Sequence, residues 1–155
     1  MAPPNKKNGR RPKIGMLVIS HGDLGEHFIE AARIICQETL DDLESLSIQA
    51  SYERDKVREQ LARSMERLEA KTDEIIALCD TYGSTPSRIL CAGNYKARVK
   101  CVFGLNLPML LDCINLRGEL DLDGLAEQIC QAGAEAIFAR EADDDVTPDL
   151  KASEA

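Results

Sequence analysis

The feature that most constrains the fold is a regular alternation between short apolar runs and segments of helical periodicity. A run of strand length, IGMLVI at 14–19, precedes a segment with apolar residues at helical intervals of three and four, namely Leu24, Phe28, Ala31, Ala32 and Ile35. The same order then repeats, with strands predicted at 46–52, 74–79 and 99–104 and helices predicted at 54–71 and 86–92. This alternation favours an open α/β sheet with helices on both faces and right-handed crossovers.

The last third of the chain adds two helical segments, predicted at 108–116 and 122–132. The apolar group AIFA at Ala136–Ala139 could then form an antiparallel edge strand beside four parallel ones. Length and apolar content, 155 residues with 44% hydrophobic, fit one domain with one core. We assign that domain to 14–140, and we expect a flexible basic tail at 1–13 and a disordered acidic tail at 141–155.

Charge and apolar patterning exclude several classes of protein. The net charge of -8, from 27 acidic and 19 basic residues, argues against nucleic acid as a partner. No apolar run approaches the roughly 18 residues of a membrane span, and no secretory signal is visible, so we expect a cytoplasmic protein. We expect neither a metal nor a cofactor, because the chain has two histidines and its six cysteines show no C-x-x-C pair. We predict that all six cysteines are free, buried thiols.

Two polar residues follow predicted strands, His21 after the first and Asp80 after the third. In a flavodoxin-like strand order of 2-1-3-4 these strands are neighbours, and ligands bind at the point where the order reverses. Histidine and carboxylate would then face each other across one crevice. A carboxylate that accepts the proton of one ring nitrogen leaves the lone pair of the other nitrogen free to attack.

Groups suited to a phosphate lie beside this pair in the sequence. Gly22 and Gly83 allow close approach of the backbone, and Ser84 and Thr85 supply hydroxyl groups. We predict that Thr85 caps the helix that Pro86 begins, where free backbone N–H groups favour an anion. The pattern is therefore typical of a nucleophilic histidine in phosphoryl transfer.

Other interpretations of these residues remain open at this point. A single histidine at a strand end is often an ordinary loop residue, and Asp80 could be the phosphoryl acceptor instead, as in a receiver-type signalling domain. That domain type needs further acidic residues at the end of the first strand, and only Asp23 is near. We interpret His27 as solvated because it faces away from His21, and DDLE at 41–44 as a solvated turn.

Three segments carry a resemblance to a known family. The segment SHGDLGEHFIEAA at 20–32 is similar to the region of the phosphorylated histidine in the enzyme IIA component of mannose-family sugar phosphotransferase systems. The stretch CDTYGSTP at 79–86 resembles the D-x-x-G-G-S-P loop of that family, and GLNLPMLL at 104–111 resembles its G-x-N-L-P-M-L-L segment. The three segments occur in the family's order, and the resemblance covers 14–139.

The resemblance implies a phosphocarrier. His21 would accept a phosphoryl group from the phosphocarrier protein HPr and pass it to a IIB component, with Asp80 holding the Nδ1–H group and Nε2 phosphorylated. The family fold is a flavodoxin-like sheet with an added antiparallel strand, and its members form homodimers partly through that strand. Residues 136–139 would correspond to it.

The sequence departs from the family pattern in the loop, where Ser84 replaces the second glycine and Thr85 replaces the serine. Thr85 keeps a hydroxyl group, whereas Ser84 adds a side chain where the backbone would approach phosphate. No IIB domain follows, so sugar transport would need separate partners. The alternative is a regulatory phospho-switch that binds a kinase or transcription regulator according to the phosphorylation of His21.

Overall fold

The structure, a computed structural model, describes residues 10–37 and 40–141. Within these ranges four strands alternate with helices, and a fifth helix ends the fold. The elements are β1 (Ile14–His21), α1 (Leu24–Cys36), β2 (Leu43–Ile48), α2 (Arg54–Glu69), β3 (Glu74–Cys79), α3 (Thr85–Cys91), β4 (Arg98–Phe103), α4 (Leu107–Leu116) and α5 (Leu122–Glu135). The predicted α/β alternation is confirmed.

The four strands form one parallel sheet in the order β2-β1-β3-β4, the flavodoxin-like order that the sequence predicts. The order reverses between β1 and β3, which are hydrogen-bonded neighbours with Ile19 opposite Cys79. The carboxyl ends of both strands therefore lie at one edge of the sheet, and His21 and Asp80 are close together there.

Helices cover both faces of the sheet with separate apolar clusters. On one face, Met16, Val18 and Ile76 pack with residues of α1, α4 and α5. On the other face, Leu17 and Ile75 pack with residues of α2 and α3. Because β1 and β3 are buried on both faces, their sequences are almost uninterrupted apolar runs, and this made their positions predictable.

The second strand begins three residues earlier than the alternation of LSIQASY indicates. It pairs with β1 from Met16 opposite Leu43 to His21 opposite Ile48. Beyond Ile48 the chain turns, and the N–H of Tyr52 donates to the carbonyl of Gln49. The predicted extent of 46–52 was therefore wrong, because pairing with β1, rather than alternation of side chains, sets where β2 starts and stops.

Residues 136–139, predicted as an antiparallel edge strand, do not pair with the sheet in the described part of the chain. They follow α5, and the side chains of Ile137 and Phe138 are 78% and 74% exposed. A strand needs a neighbouring strand edge that supplies hydrogen-bond partners. After α5 the chain does not return to an edge of the sheet, so residues 136–139 find no such partners among the described residues.

Part of each predicted tail lies within the described residues. In the basic segment, Arg10 and Lys13 contact the carboxylate of Asp73, and the Lys13 ammonium lies 3.3 Å from Asp42. Asp42 is buried and also pairs with Arg117, so the prediction of a solvated turn at 41–44 was wrong at this position. Residues 1–9 and 142–155 lie outside the described residues.

The cysteines differ in burial, contrary to the prediction that all are buried. No disulfide joins any of the six in the described structure, but only Cys79 and Cys113 are buried; Cys36 and Cys101 are half-buried, and Cys91 and Cys130 are exposed. Of the exposed pair, Cys91 is the last residue of α3 and Cys130 lies on α5.

Among residues 10–37 and 40–141, every helix is too short or too polar to span a bilayer.

Candidate functional site

His21 and Asp80 are in direct contact, although 59 residues separate them in sequence. The Nδ1 atom of His21 lies 2.9 Å from Oδ2 of Asp80, and the backbone N–H of His21 donates to the same oxygen at 2.7 Å. The histidine side chain is 53% exposed, whereas that of Asp80 is 12% exposed. The structure thus brings the two residues together at the reversal point of the sheet, with the imidazole facing solvent.

The carboxylate of Asp80 is held by donors on both oxygens. Its Oδ1 accepts from the backbone N–H of Thr81 at 2.6 Å and from the Thr81 hydroxyl at 3.3 Å. Burial alone would raise the pKa of Asp80, but the hydrogen bonds from the backbone and ring of His21 and from Thr81 outweigh it and lower that pKa. Asp80 is therefore ionised at neutral pH.

An ionised carboxylate can only accept hydrogen bonds, and this fixes the tautomer of a neutral His21 ring. The Nδ1 atom must carry the proton that is shared with Asp80. The Nε2 atom then keeps a free lone pair. An exposed imidazole in this tautomer is a nucleophile oriented by a carboxylate.

The backbone on either side of the pair turns through left-handed conformations. Gly22 has φ +54°, and Gly83, in the loop after β3, has φ +80°. A Cβ atom on either residue would meet nothing within 4 Å, so the constraint is backbone conformation rather than space. The turn at Gly22 is fixed by its N–H, which donates to the carbonyl of Ile48 at 2.8 Å.

The two hydroxyl residues of the loop have different roles from those expected. Ser84, not Thr85, is the N-cap of α3, because its Oγ accepts from the N–H of Ser87 and its carbonyl accepts from the Ser87 hydroxyl. Thr85 is the first residue of the helix, and its hydroxyl has no hydrogen-bond partner among the described residues. At seven residues, α3 offers only a small helix dipole.

Sequence reasoning missed a contact that joins the first turn of α1 to the end of β1, next to His21. The buried Oγ of Ser20 accepts from the N–H of Gly25 at 2.7 Å. A Cβ on Gly25 would lie 2.8 Å from a methyl group of Val18 and 2.9 Å from the Ser20 hydroxyl. The bond spans five residues and matches no common capping motif, so no sequence signal pointed to it.

An aromatic contact supports the loop after β3. The ring of Tyr82 meets that of Phe103 edge to face, with centroids 5.0 Å apart and planes at 80°. Tyr82 is itself 82% exposed, so one side of its ring is free at the same edge of the sheet as His21.

His27, by contrast, lies on α1 with 74% of its side chain exposed, 3.7 Å from Glu30.

The arrangement can accept a group at Nε2. It offers a nucleophilic nitrogen, a carboxylate that stabilises positive charge on the ring, and a polar loop beside it. Positioning and charge stabilisation of this kind supply most of the catalysis in phosphoryl transfer.

Comparison with known proteins places this site in context. Residues 15–130 match the family model EIIA-man, described as PTS system fructose IIA component. That range includes His21, Asp80 and the loop that joins β3 to α3. The search of curated proteins found no match to the chain.

Solved structures share the fold over most of the chain. The mannose/sorbose specific IIA subunit of the phosphotransferase system from Enterococcus faecalis is 25% identical, with a TM-score of 0.71, and the match covers 83% of this chain and 96% of that one. A PTS IIA protein associated with the fucose utilization operon of Streptococcus pneumoniae is 23% identical, with a TM-score of 0.72 and coverage of 82% and 93%. A phosphotransferase system component EIIA from Streptococcus agalactiae is 22% identical, with a TM-score of 0.71 and coverage of 81% and 96%.

Proposed function

Because the chain belongs to the PTS system fructose IIA component family, we propose that it is a phosphocarrier in which His21 is the phosphorylated residue. The observation that carries the proposal is the 2.9 Å contact between Nδ1 of His21 and the carboxylate of Asp80. That contact supports a ring with a free Nε2 lone pair at an exposed edge of the sheet. A phosphotransferase role follows from the family in general, and the residue assignment is ours.

The proposed reaction is a transfer of a phosphoryl group between two histidines. Nε2 of His21 attacks the phosphorus atom of phosphorylated HPr, the new N–P bond forms, and the N–P bond of the donor histidine breaks with its electron pair returning to the donor ring. The reverse pattern then passes the group from His21 to a IIB component. Each step exchanges one N–P bond for another, so the transfers are readily reversible.

Asp80 serves as the positioning residue for this reaction. As Nε2 gives its lone pair to phosphorus, positive charge develops on the ring, and the carboxylate 2.9 Å from Nδ1 stabilises that charge. The arriving phosphoryl group also brings negative charge toward Asp80. We propose that the backbone at Gly83 and the hydroxyl groups of Ser84 and Thr85 face the phosphoryl oxygens and offset this repulsion, while Gly22, whose N–H already donates to Ile48, lets the chain turn beside them.

Labelling with phosphorylated HPr tests the acceptor. We expect wild-type protein to take up label and His21→Ala to take up none, while the matched variant His27→Ala is labelled like wild type because that side chain lies on the outer face of α1. Full labelling of His21→Ala would refute the assignment.

The chemical stability of the label distinguishes His21 from Asp80. A phosphohistidine is lost in acid and survives in base, whereas an aspartyl phosphate is cleaved by hydroxylamine. We expect the first behaviour, with the label mapped to a peptide that contains His21. A label that hydroxylamine releases would assign the phosphoryl group to a carboxylate and remove His21 from the mechanism.

We propose further that the protein acts in the cytoplasm as a homodimer. The exposed Ile137 and Phe138 after α5 support the homodimer, because a second copy could supply the strand edge that residues 136–139 do not find among the described residues of their own chain. Sedimentation of wild type and Phe138→Asp tests the proposal: we expect a dimer for wild type and a monomer for the variant. A monomeric wild type would rule the dimer out.

A further inference from the structure

Two thiols meet on the face of the sheet that α3 covers. Cys91 is the last residue of α3, Cys101 lies in β4, and their Sγ atoms are 3.8 Å apart. The sulfur atoms of a disulfide are about 2.05 Å apart, so the two need to approach by less than about 2 Å to bond. Cys91 lies at a helix end, where a small movement of the chain disturbs few contacts.

The same two thiols border a cavity that is open to solvent. The cavity holds about 360 Å³ and is lined by both cysteines together with Gly93, Asn94 and Tyr95. Cys91 is exposed and Cys101 is half-buried, so a small oxidant can reach the first thiol directly and the second through the cavity. This separates the pair from Cys79 and Cys113, which are buried.

We propose that Cys91 and Cys101 form an oxidative modification site, at which a hydroperoxide converts the two thiols into an intramolecular disulfide. The site is independent of the proposed phosphoryl transfer. The disulfide would join the C-terminal end of α3 to β4 and close the segment 91–101, which contains the loop between them.

The reaction balances with one hydroperoxide for each disulfide. The Sγ of Cys91 attacks the terminal oxygen, the O–O bond breaks, the thiol proton passes to the leaving oxygen, and a sulfenic acid forms with release of water or an alcohol. The Sγ of Cys101 then attacks the Cys91 sulfur, the S–S bond forms, and the S–O bond breaks with loss of water. Two thiols are oxidised by two electrons, which the hydroperoxide takes up.

The environments of the thiols support this order of attack. Burial, with a contribution from Cys91, raises the pKa of Cys101, so Cys101 is the less reactive of the two thiols toward the oxidant. Burial likewise raises the pKa of Cys79 and of Cys113 to about 12, which holds both as unreactive thiols. Exposed Cys91 is therefore the residue that oxidant meets first.

Peptide mapping of the oxidised full-length protein tests the proposal. Reduced protein, freed of reductant, is treated with hydrogen peroxide at low molar excess, unfolded, and alkylated with N-ethylmaleimide. Digestion with trypsin and Asp-N places Cys91 in peptide 89–96 and Cys101 in 101–111, and separates Cys101 from Cys113. We expect these two peptides to be linked, with the mass of two hydrogen atoms lost, and to separate on reduction.

Single variants supply the controls. We expect Cys91→Ser and Cys101→Ser to lose the linked peptide, and Cys130→Ser, which removes an exposed thiol on α5, to retain it at the wild-type yield. The proposal is overturned if both peptides carry maleimide after oxidation, if Cys91 reaches the sulfinic acid while Cys101 stays labelled, or if the link joins two separate chains on a non-reducing gel.

Discussion

The replacement Asp80→Asn tests the role of the carboxylate most directly. In the wild type, Oδ2 accepts from the backbone N–H and ring of His21, and Oδ1 accepts from the backbone N–H of Thr81. Asparagine has one acceptor oxygen and one NH₂ group in place of two oxygens. In either orientation of the amide, one backbone N–H group therefore faces a second donor.

The two orientations harm the reaction in different ways. With its NH₂ group toward His21, asparagine donates to Nδ1, the ring proton moves to Nε2, and the attacking lone pair is lost. With its oxygen toward His21, the tautomer is kept but the charge that stabilises the developing imidazolium is absent. Both orientations slow phosphoryl transfer.

The magnitude follows from the bonds that the carboxylate makes. A hydrogen bond to a charged group contributes about 1.5–3 kcal/mol, which corresponds to roughly 10- to 100-fold in the rate of transfer. The unsatisfied backbone donor lowers the free energy of unfolding by about 1–2 kcal/mol, because the site is only partly shielded from water. The variant should therefore fold while transferring slowly.

Single-turnover transfer from phosphorylated HPr measures the rate, and ¹⁵N NMR of the imidazole at pH 7 reports the tautomer. Asp55→Asn is the matched control, because the Asp55 side chain is 93% exposed, and we expect it to transfer at the wild-type rate. Transfer by Asp80→Asn at that same rate, with the proton still on Nδ1, would refute the argument.

Three further predictions concern stability, measured by urea or acid unfolding followed by circular dichroism. Gly25→Ala should lower the free energy of unfolding by about 1–3 kcal/mol, because the new Cβ overlaps the Ser20 hydroxyl; an unchanged midpoint would contradict this. Arg117→Met should cost about 2–3 kcal/mol, because Asp42 stays buried without its main partner; Arg58→Met, on an exposed pair, should cost less than about 0.5 kcal/mol. Burial raises the pKa of Asp42, but Arg117 and Lys13 outweigh burial and lower that pKa. The ionised carboxylate therefore stabilises the fold above the ordinary pKa of 3.8, and this stabilisation is lost as pH falls below that value. Arg117→Met should flatten the acid dependence of the free energy of unfolding, and a slope identical to that of wild type would contradict this prediction.

The sequence predicted best those elements whose burial is set by one dominant interaction. β1 and β3 are buried on both faces, and their apolar runs, bounded by polar residues, predicted their positions to within two residues. The same two strands gave the pairing of His21 with Asp80, because neighbouring parallel strands end at the same edge of the sheet. Predicting this part of the site required only the strand order and the polar residue after each strand.

What the sequence could not predict depends on contacts outside each local window. The start of β2 is set by its register against β1, and the cap of α3 at Ser84 depends on a loop conformation that also places Gly83 at positive φ. The bond from Gly25 to Ser20 joins two elements across a turn. The exposure of Cys91, whose Sγ nonetheless lies 3.8 Å from that of Cys101 in β4, likewise depends on packing outside the local sequence.

The double attachment of His21 to a single oxygen of Asp80 limits how the ring can travel. The backbone N–H and the Nδ1 atom of His21 both contact that oxygen. If the ring rotated outward, Nδ1 would lose its contact with a charged acceptor while the backbone hydrogen bond held the residue in place. On the proposed assignment, a phosphoryl group on Nε2 leaves in the same direction from which it arrived. Donor and acceptor proteins must therefore bind one after the other, because both need the same surface around Nε2.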